Sequence, residues 1–281
     1  MLTKRTLNLG AALSAALLGL LWAASSSLAA ENAPTAAALH ENPAAVRGKQ
    51  IAIEADNRAS GFVDSRASLS MILRDKKGRE RTRAMRVKTM ERENDGDWSL
   101  TIFDNPADVK GTALLTYSHG LQADDQWLYL PALKRVKRIS SRNKSGPFMG
   151  SEIAFEDLSS FELEKYRYRF LREANCGELR CYVSEWIPAY PHSGYSRTEV
   201  WHDTGHYRTQ RVEFYDRSGK HLKTLTLRDY ELYKERFWRA HQWRVSNHKT
   251  GRSTELTFQK IELGVGLNPR DFDKNALKSA R

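Results

Sequence analysis

Two histidines and a carboxylate lie close together in His202-Asp203-Thr204-Gly205-His206, and imidazole and carboxylate groups are both used as zinc ligands. Zinc needs three or four ligands converging at about 2 Å. An Asp-Thr-Gly turn would place the two histidines on different strands. The remaining histidines are scattered singly, without a recognisable ligand spacing. We therefore predict a turn here, and neither a metal site nor a cofactor elsewhere in the chain.

Three acidic residues, Glu152, Glu156 and Asp157, are near enough in sequence for general acid–base chemistry. However, Glu156-Asp157 before Leu158-Ser159-Ser160 is typical of the acidic first turn of a short helix. The chain contains no G-x-S-x-G elbow, no H-E-x-x-H zinc motif and no phosphate-binding glycine loop. The sequence therefore predicts no catalytic residues and a protein that is not an enzyme.

The chain has two cysteines, Cys176 and Cys181, which flank Gly177-Glu178-Leu179-Arg180 between two strand-like runs. In an oxidising compartment, a pair across a hairpin turn is expected to form a disulfide. Redox-active pairs are usually separated by two residues rather than four. We therefore predict a structural disulfide, which contributes about 2 kcal/mol because the loop that it closes is short.

The stretch from Trp127 to Leu158 has the composition of a binding surface rather than a catalytic one. In Trp127-Leu128-Tyr129-Leu130 both faces of the predicted strand are apolar, so both faces require burial. One interpretation is a central strand with the core on one face and a helix on the other. The other is that one face lines a cavity for acyl chains, since the mouths of β-barrels are common ligand sites.

Six basic residues follow Pro131 within eleven positions: Lys134, Arg135, Lys137, Arg138, Arg142 and Lys144. One interpretation is a solvated strand that uses charge to discourage edge pairing. The other is a docking surface, extended by Phe148-Met149 on a loop flanked by Gly146-Pro147 and Gly150. An exposed Phe148 would gate a pocket or insert into a partner, whereas a buried Phe148 would belong to the core.

These residues must be positioned mainly by strands. Alternating apolar and polar residues recur from Ser65 onward, separated by turns such as Asp75-Lys76-Lys77-Gly78, which predicts an antiparallel meander. A change of parity predicts a bulge near Gln259 or Lys260. Short helices are expected over residues 47–59 and 275–278. About ten strands are too many for a flat sheet, so the predicted fold is mainly β, a curved antiparallel sheet forming a barrel or half-barrel.

The N-terminus has the organisation of a cleaved export signal. Lys4 and Arg5 precede a short apolar run and the small residues Ala29-Ala30, which predicts a signal peptide over residues 1–29. A flexible lead-in over 30–46 and a single domain over 47–281 are expected to follow. The net charge of +11 becomes +9 without Lys4 and Arg5. An exported basic protein meets anionic membrane surfaces or acidic proteins, so nucleic acid is excluded as a partner.

Several segments together resemble the LolA-like outer-membrane lipoprotein-sorting proteins. They are Trp127–Leu158 with its WLYLP and FMGS motifs, Met71–Asp75, Phe103–Leu114, Gly194–Asp203 and the terminal Phe272. The resemblance covers about residues 50–278. It implies an unclosed, half β-barrel of antiparallel strands around a hydrophobic cavity, lidded by short helices and working in the Gram-negative periplasm. The residues of the shared surface, expected to bind ligand or dock a partner, are Trp127, Tyr129, Pro131, Arg135, Arg138, Phe148, Met149, Gly150 and Ser151.

Two functions are consistent with this resemblance. The first is a periplasmic carrier or chaperone that holds a lipid or lipidated protein in the half-barrel and delivers it to an outer-membrane acceptor. The second is a non-enzymatic interaction module, either an accessory to an inner-membrane exporter of the resistance-nodulation-division (RND) type or a lipid-sensing regulator. The basic character and the length of the chain depart from those of lipoprotein carriers, so the cargo is left open.

Overall fold

A computed structural model describes residues 42–93 and 95–279, which belong to one compact unit. The expected signal peptide lies outside the described residues, as does most of the expected lead-in. Residues 43–46 of that lead-in are helical, because helix α1 (Pro43–Ala59) begins earlier than predicted. Asn42 caps the helix: its Oδ1 accepts a hydrogen bond of 2.9 Å from the backbone nitrogen of Ala44. Pro43 at the first helical position needs no hydrogen-bond partner for its nitrogen.

Thirteen strands form one antiparallel sheet in the described part of the chain. They are β1 (Asp64–Arg74), β2 (Glu80–Met90), β3 (Trp98–Asn105), β4 (Ala113–Tyr117), β5 (Asp125–Leu130), β6 (Arg135–Ile139), β7 (Tyr166–Cys176), β8 (Leu179–Pro188), β9 (Tyr195–Asp203), β10 (Thr209–Asp216), β11 (His221–Tyr233), β12 (Phe237–Asn247) and β13 (Ser253–Leu263). The mainly β, antiparallel prediction is confirmed, but the count of ten is wrong. Strands as short as β4 and β6 contain too few residues for alternation to be recognised.

The strand order is β6-β5-β4-β3-β2-β1-β13-β12-β11-β10-β9-β8-β7. Two meanders, β1–β6 and β7–β13, are thus joined by pairing of β1 with β13. The sheet is not closed, since among the described strands β6 and β7 are edges that do not pair with each other. The predicted bulge is confirmed: Ser68 pairs with Lys260 and Leu69 with Phe258, which leaves Gln259 unpaired.

Short 3₁₀ segments supply the remaining regular structure. They are Pro131–Leu133, Ser141–Asn143, Phe148–Gly150, Phe155–Leu158, Leu163–Lys165, Pro269–Phe272 and Lys274–Ser279. The acidic first turn expected at Glu156-Asp157 is confirmed as a single 3₁₀ turn, and the expected C-terminal helix is the 3₁₀ segment Lys274–Ser279. Residues 140–165, which we call the crossover, connect the two edges of the sheet.

The two faces of the first meander are covered differently. On the inner face, the crossover packs Phe148 and Ile153 against buried residues such as Met71, Phe103 and Leu128. On the outer face, the two C-terminal 3₁₀ segments pack Phe272 and Leu277 against a second buried cluster: Met90, Leu100, Ile102, Ala113 and Leu115. Strand β5 lies between these layers: Leu128 packs in the inner cluster and Trp127 and Tyr129 pack against the outer one, as the apolar run Trp127–Leu130 requires.

Helix α1 covers the second meander and contacts edge strand β7 closely. A Cβ atom at Gly48 would lie 2.6 Å from the backbone nitrogen of Phe170 and 2.8 Å from the carbonyl carbon of Arg169. The helix can therefore rest on the strand only because position 48 has no side chain. In residues 42–93 and 95–279, no helix has both the length and the apolar character needed to cross a bilayer.

Candidate functional site

A cavity of about 340 Å³ lies between α1, the crossover and strands β7–β11. Three kinds of wall surround it. The sheet supplies apolar side chains, α1 supplies the small residues Ala55 and Ala59, and the crossover and neighbouring segments supply aromatic and charged groups. On the inner face of the first meander, the corresponding space is occupied by Phe148 and Ile153 of the crossover.

The sheet wall follows from strand alternation. Thr198, Val200 and His202 occupy alternate positions of β9 and line the cavity. Val212 of β10 pairs with Val200 on one side and with Leu225 of β11 on the other, so three aliphatic side chains lie in one row across the sheet. This row makes a continuous apolar surface suited to a hydrocarbon chain.

An aromatic group forms the next wall. The ring centres of Phe161 and Tyr166 lie 4.7 and 5.5 Å from that of Trp186. The ring of Tyr190 lies edge-on to that of Tyr166, with their centres 5.9 Å apart. Burial raises the pKa of Tyr166 to about 12 and raises that of Tyr190 further, so both phenols are neutral at physiological pH. Their hydroxyls are polar without being charged, which keeps this wall compatible with an apolar ligand.

Two carboxylates in the cavity wall are balanced by buried lysines. Asp124 forms an ion pair of 2.9 Å with Lys165, and the side chains of both are almost fully buried. Asp157 is paired with Lys223 and accepts a hydrogen bond of 2.7 Å from the hydroxyl of Tyr195. Because each charge is buried together with its counter-ion, neither pair gives the cavity a net charge.

Glu156 is not balanced in this way. Its Oε1 accepts a hydrogen bond of 2.9 Å from the backbone nitrogen of Gly194, while its buried Oε2 has no hydrogen-bond partner among the described residues. The buried Lys144 amine instead lies 4.0 Å from the ring centre of Tyr190. Burial, reinforced by the charge of Asp157, raises the pKa of Glu156 to about 7.

His202 is buried in the same cavity wall, and burial lowers its pKa to about 4, so the ring is neutral. The turn predicted after it is confirmed: Asp203 Oδ1 accepts hydrogen bonds from the backbone nitrogens of Gly205 at 3.1 Å and His206 at 2.6 Å. The ring of His206 packs against Trp238 instead. In the described ranges, no three His, Cys, Asp or Glu side chains are grouped to hold a metal ion.

The WLYLP residues lie away from this cavity. Trp127 and Tyr129 pack against the outer buried cluster, beneath the C-terminal segments, and Pro131 begins a 3₁₀ turn. Leu128 points to the inner core. Of the two interpretations of this strand, core on one face and helical cover on the other agrees with the structure, and the cavity-lining one is wrong. The reason is that the crossover already occupies the inner face.

The basic residues divide into an exposed set and one buried member. Arg135, Lys137 and Arg138 project from β6, which is an edge strand, and Arg138 pairs with Asp125 on β5. Lys144 is different, since only 6% of it is exposed. The prediction that groups Lys144 with the exposed basic residues is therefore wrong. The crossover turns inward after Asn143 and places Lys144 over the ring of Tyr190.

The FMGS loop is partly buried and is held by hydrogen bonds. Phe148 is fully buried, so its interpretation as an exposed gate is wrong and its interpretation as a core residue holds. Met149 has a positive φ of 49°, and its carbonyl accepts a hydrogen bond of 2.7 Å from Arg83. Ser151 Oγ donates to the carbonyl of Phe148 at 2.7 Å. Gly150 and Ser151 line a second, more polar hollow of about 660 Å³.

Sequence patterns did not identify Trp186, Val200 or Val212 as cavity-lining residues. Trp186, Val200 and Val212 belong to strands whose alternation resembles that of any half-buried sheet. The small residues Ala55 and Ala59, four apart on α1, were the available signal, because they place two minimal side chains on one helical face. The disulfide between Cys176 and Cys181 is confirmed, in the β7–β8 hairpin.

Comparison with known proteins locates the chain among proteins of similar fold. A family model described as an uncharacterized protein matches residues 95–279. The chain is similar to a crystal structure from Vibrio parahaemolyticus described as an outer membrane lipoprotein-sorting protein domain, with 54% identity, a TM-score of 0.82 and coverage of 83% of this chain and 99% of the other. A DUF1329 family protein from Desulfovibrio piger shares 29% identity, with a TM-score of 0.80 and coverage of 84% and 100%. A LolA superfamily protein from Nitrosomonas europaea shares the fold at 20% identity, with a TM-score of 0.66 and coverage of 81% and 98%. Comparison with curated protein sequences found no match.

Proposed function

Since the chain belongs to a LolA-like family that includes outer-membrane lipoprotein-sorting domains, we propose that it is a periplasmic carrier or chaperone for a lipid or lipidated protein. The ligand's acyl chain occupies the cavity between α1, the crossover and β7–β11. The observation that carries this proposal is the cavity itself: an apolar, aromatic-walled space of about 340 Å³ in a sheet of the lipoprotein-sorting type.

The size and lining of the cavity agree with a single-chain ligand. Small-molecule sites usually occupy about 300 to 1,000 Å³ and have mainly apolar walls with a few polar groups. The row formed by Val200, Val212 and Leu225 supplies the apolar surface, and Trp186 supplies a broad aromatic one. These contacts hold a hydrocarbon chain without specifying its length.

The ligand can be released only if its acyl chain is incompletely buried in the cavity. Each buried methylene contributes about 0.8 kcal/mol, so an acyl chain of about a dozen carbons fully buried would contribute about 10 kcal/mol. In our proposal α1 is the movable wall. Several of its polar ties to the sheet are exposed and therefore weak, including the 3.0 Å ion pair between Arg47 and Glu173 and the 3.1 Å hydrogen bond from Arg58 to the carbonyl of Gly205.

Native mass spectrometry of the protein purified from its own periplasm tests the proposal. We expect a stoichiometric adduct from which acyl chains can be extracted. Substitution of Val212→Trp fills the apolar row and should abolish the adduct, whereas Glu213→Trp, on the opposite face of the same strand, should retain it. An apo mass for the wild-type protein, or an adduct that persists in a folded Val212→Trp variant, would contradict the carrier function.

A docking role for the basic edge strand is a second proposal, favoured by the exposure of Arg135, Lys137 and Arg138 on β6. Here these side chains contact an anionic membrane surface, an outer-membrane acceptor or an RND-type exporter. Trp127, Tyr129 and Pro131 support the strand from beneath, while Phe148, Met149, Gly150 and Ser151 hold the adjoining loop in place.

The docking proposal is tested by reversing Lys134, Arg135 and Lys137 to Glu. We expect the triple variant to lose binding to anionic vesicles or to a co-purifying partner, with an unchanged lipid content. A fall in lipid content as well would mean that the strand and the cavity do not act separately.

A further inference from the structure

We propose that His221 and His248 form a binding site for a divalent transition-metal ion, on the face of the second meander opposite to the cavity. Both histidines contact Thr224 of β11. The next residue of this strand, Leu225, lines the cavity, and successive side chains of a strand point to opposite faces. The site therefore lies outside the cavity, and the inference does not depend on the carrier function.

The two imidazoles converge on one hydroxyl group. The Nε2 atom of His221 lies 3.0 Å from Thr224 Oγ1, and the Nε2 atom of His248 lies 2.9 Å from the same oxygen. The ring centres of the two histidines are 4.3 Å apart. A hydroxyl has a single hydrogen, so it donates to one imidazole and accepts from the other. Both Nε2 atoms thus point to a common position, as the ligands of one ion must.

The fold brings these histidines together from distant positions in the sequence. His221 begins β11, and His248 directly follows β12. The backbone nitrogen of His248 donates a hydrogen bond of 2.9 Å to the carbonyl of Leu222, which holds the two chain segments side by side. The ring of Tyr215 stacks on that of His221, with their centres 5.3 Å apart. One of the two ligands is therefore oriented by packing before an ion binds.

An ion can reach this position from solvent, since both histidines are exposed. Two of the neighbouring cations are neutralised by ion pairs: Arg211 pairs with Glu213 at 3.3 Å, and Lys249 pairs with Asp216. Lys220, in the turn before β11, is exposed, so water and salt screen its charge. Repulsion by these positive charges therefore does not prevent a cation from binding.

The chemistry of imidazole determines which ions the pair suits. Imidazole nitrogen binds copper, zinc and nickel well, whereas magnesium and calcium prefer oxygen ligands. Among the divalent ions of the first transition row, affinity is highest for Cu²⁺, which also accepts water in the remaining positions of a tetragonal site. A site with two protein ligands is compatible with the finding that residues 42–93 and 95–279 contain no three-ligand group. The pair therefore suits Cu²⁺ best, with Zn²⁺ bound more weakly.

Isothermal titration of Cu²⁺ into the mature protein, prepared without a polyhistidine tag and in a non-coordinating buffer, tests the inference. We expect the wild-type protein to bind the first equivalent of Cu²⁺ tightly, with nitrogen ligands visible by electron paramagnetic resonance. His221→Gln and His248→Gln should each weaken this binding at least about tenfold. The reason is that loss of a group that only supports a metal ligand already costs about 10- to 100-fold in affinity. Mg²⁺ should not bind, because it requires oxygen ligands.

Two control variants separate the histidine pair from other groups. His192→Asn removes an exposed histidine from the loop before β9 and should keep the wild-type affinity. Asparagine is suited to this position because it tolerates the positive φ of 65° found there. Thr224→Val retains the shape of the threonine side chain and removes its hydroxyl. Since both imidazoles remain, this variant should still bind Cu²⁺.

Three results would overturn the inference. The first is the absence of Cu²⁺ binding to the wild-type protein. The second is a wild-type affinity in both His221→Gln and His248→Gln, which would show that other groups, such as the terminal amine, hold the ion. The third is loss of binding in a folded Thr224→Val variant, which would show that the imidazole pair does not suffice. None of these results changes the expected lipid content of the cavity, so failure of this inference is distinguishable from failure of the carrier function.

Discussion

Replacing Glu156 by glutamine should change how the stability of the protein depends on pH. Burial raises the pKa of Glu156 from its ordinary value of 4.5 to about 7. Between these values the folded protein binds a proton that the unfolded chain has released. The stabilisation from this proton is therefore present at low pH and is lost as the pH rises towards about 7. Glutamine keeps the shape of the side chain and removes the charge.

The size of the effect follows from linkage. One pKa unit corresponds to 1.36 kcal/mol, so a shift from 4.5 to about 7 changes the free energy of unfolding by about 2 to 3 kcal/mol between about pH 5 and about pH 8. The free energy of unfolding of Glu156→Gln, relative to wild type, should rise by this amount over that interval. The groups near Glu156, namely Asp157, Lys144, Tyr166 and Tyr190, are present in both proteins.

Urea denaturation of both proteins at several pH values measures this difference. Comparison with wild type cancels other titrations, including that of Asp97, whose pKa burial also raises to about 7, and that of His202, whose pKa burial lowers to about 4. Glu199→Gln serves as the control. Glu199 is also a buried carboxylate, but it forms ion pairs with Arg172 and Arg197, so its charge is already balanced. Parallel stability curves for wild type and Glu156→Gln would refute the reasoning, because they would show that Glu156 ionises as it does in the unfolded chain.

Three further predictions concern the framework of the cavity. Gly48→Ala should lower the free energy of unfolding by about 1 to 3 kcal/mol, because the new methyl group meets a backbone nitrogen 2.6 Å away; exposed Gln50→Ala on the same helix should be neutral or slightly stabilising in the same denaturation experiment. Replacing Cys176 and Cys181 by serine should cost about 2 kcal/mol and leave ligand binding unchanged, so a loss of bound lipid in the folded variant would assign the hairpin a role in binding. Phe148→Ala should cost about 3 to 5 kcal/mol, because the side chain is fully buried; a change below about 1 kcal/mol would mean that the loop does not anchor the crossover.

Patterns among residues close in sequence were sufficient to predict the features that lie within one strand or one turn. The turn at Asp203, the bulge at Gln259 and the disulfide between Cys176 and Cys181 depend on residues near one another in sequence or on alternation within one strand. The packing of strand β5 on both faces was likewise evident from its composition. The number of strands was less accessible, because β4 and β6 each contain five residues.

The location of the cavity was decided by tertiary structure. Phe148 and Lys144 stood beside the exposed basic residues in sequence, yet the crossover turns both inward, and Phe148 fills the space under the first meander. The open space then remains under the second meander, where α1 lies over the row formed by Val200 and Val212.

The sequence by itself determined that this is a mainly β protein with a bulged antiparallel sheet, a structural disulfide and a basic edge. These properties depend on side-chain type and on periodicity along one strand. Only the tertiary structure decided that Glu156 is buried in a cavity wall, where its Oε1 is held by the backbone nitrogen of Gly194. The reason is that burial and charge balance depend on segments distant in the chain, here Gly194 and the strands of the second meander, which meet the crossover only after the chain has folded.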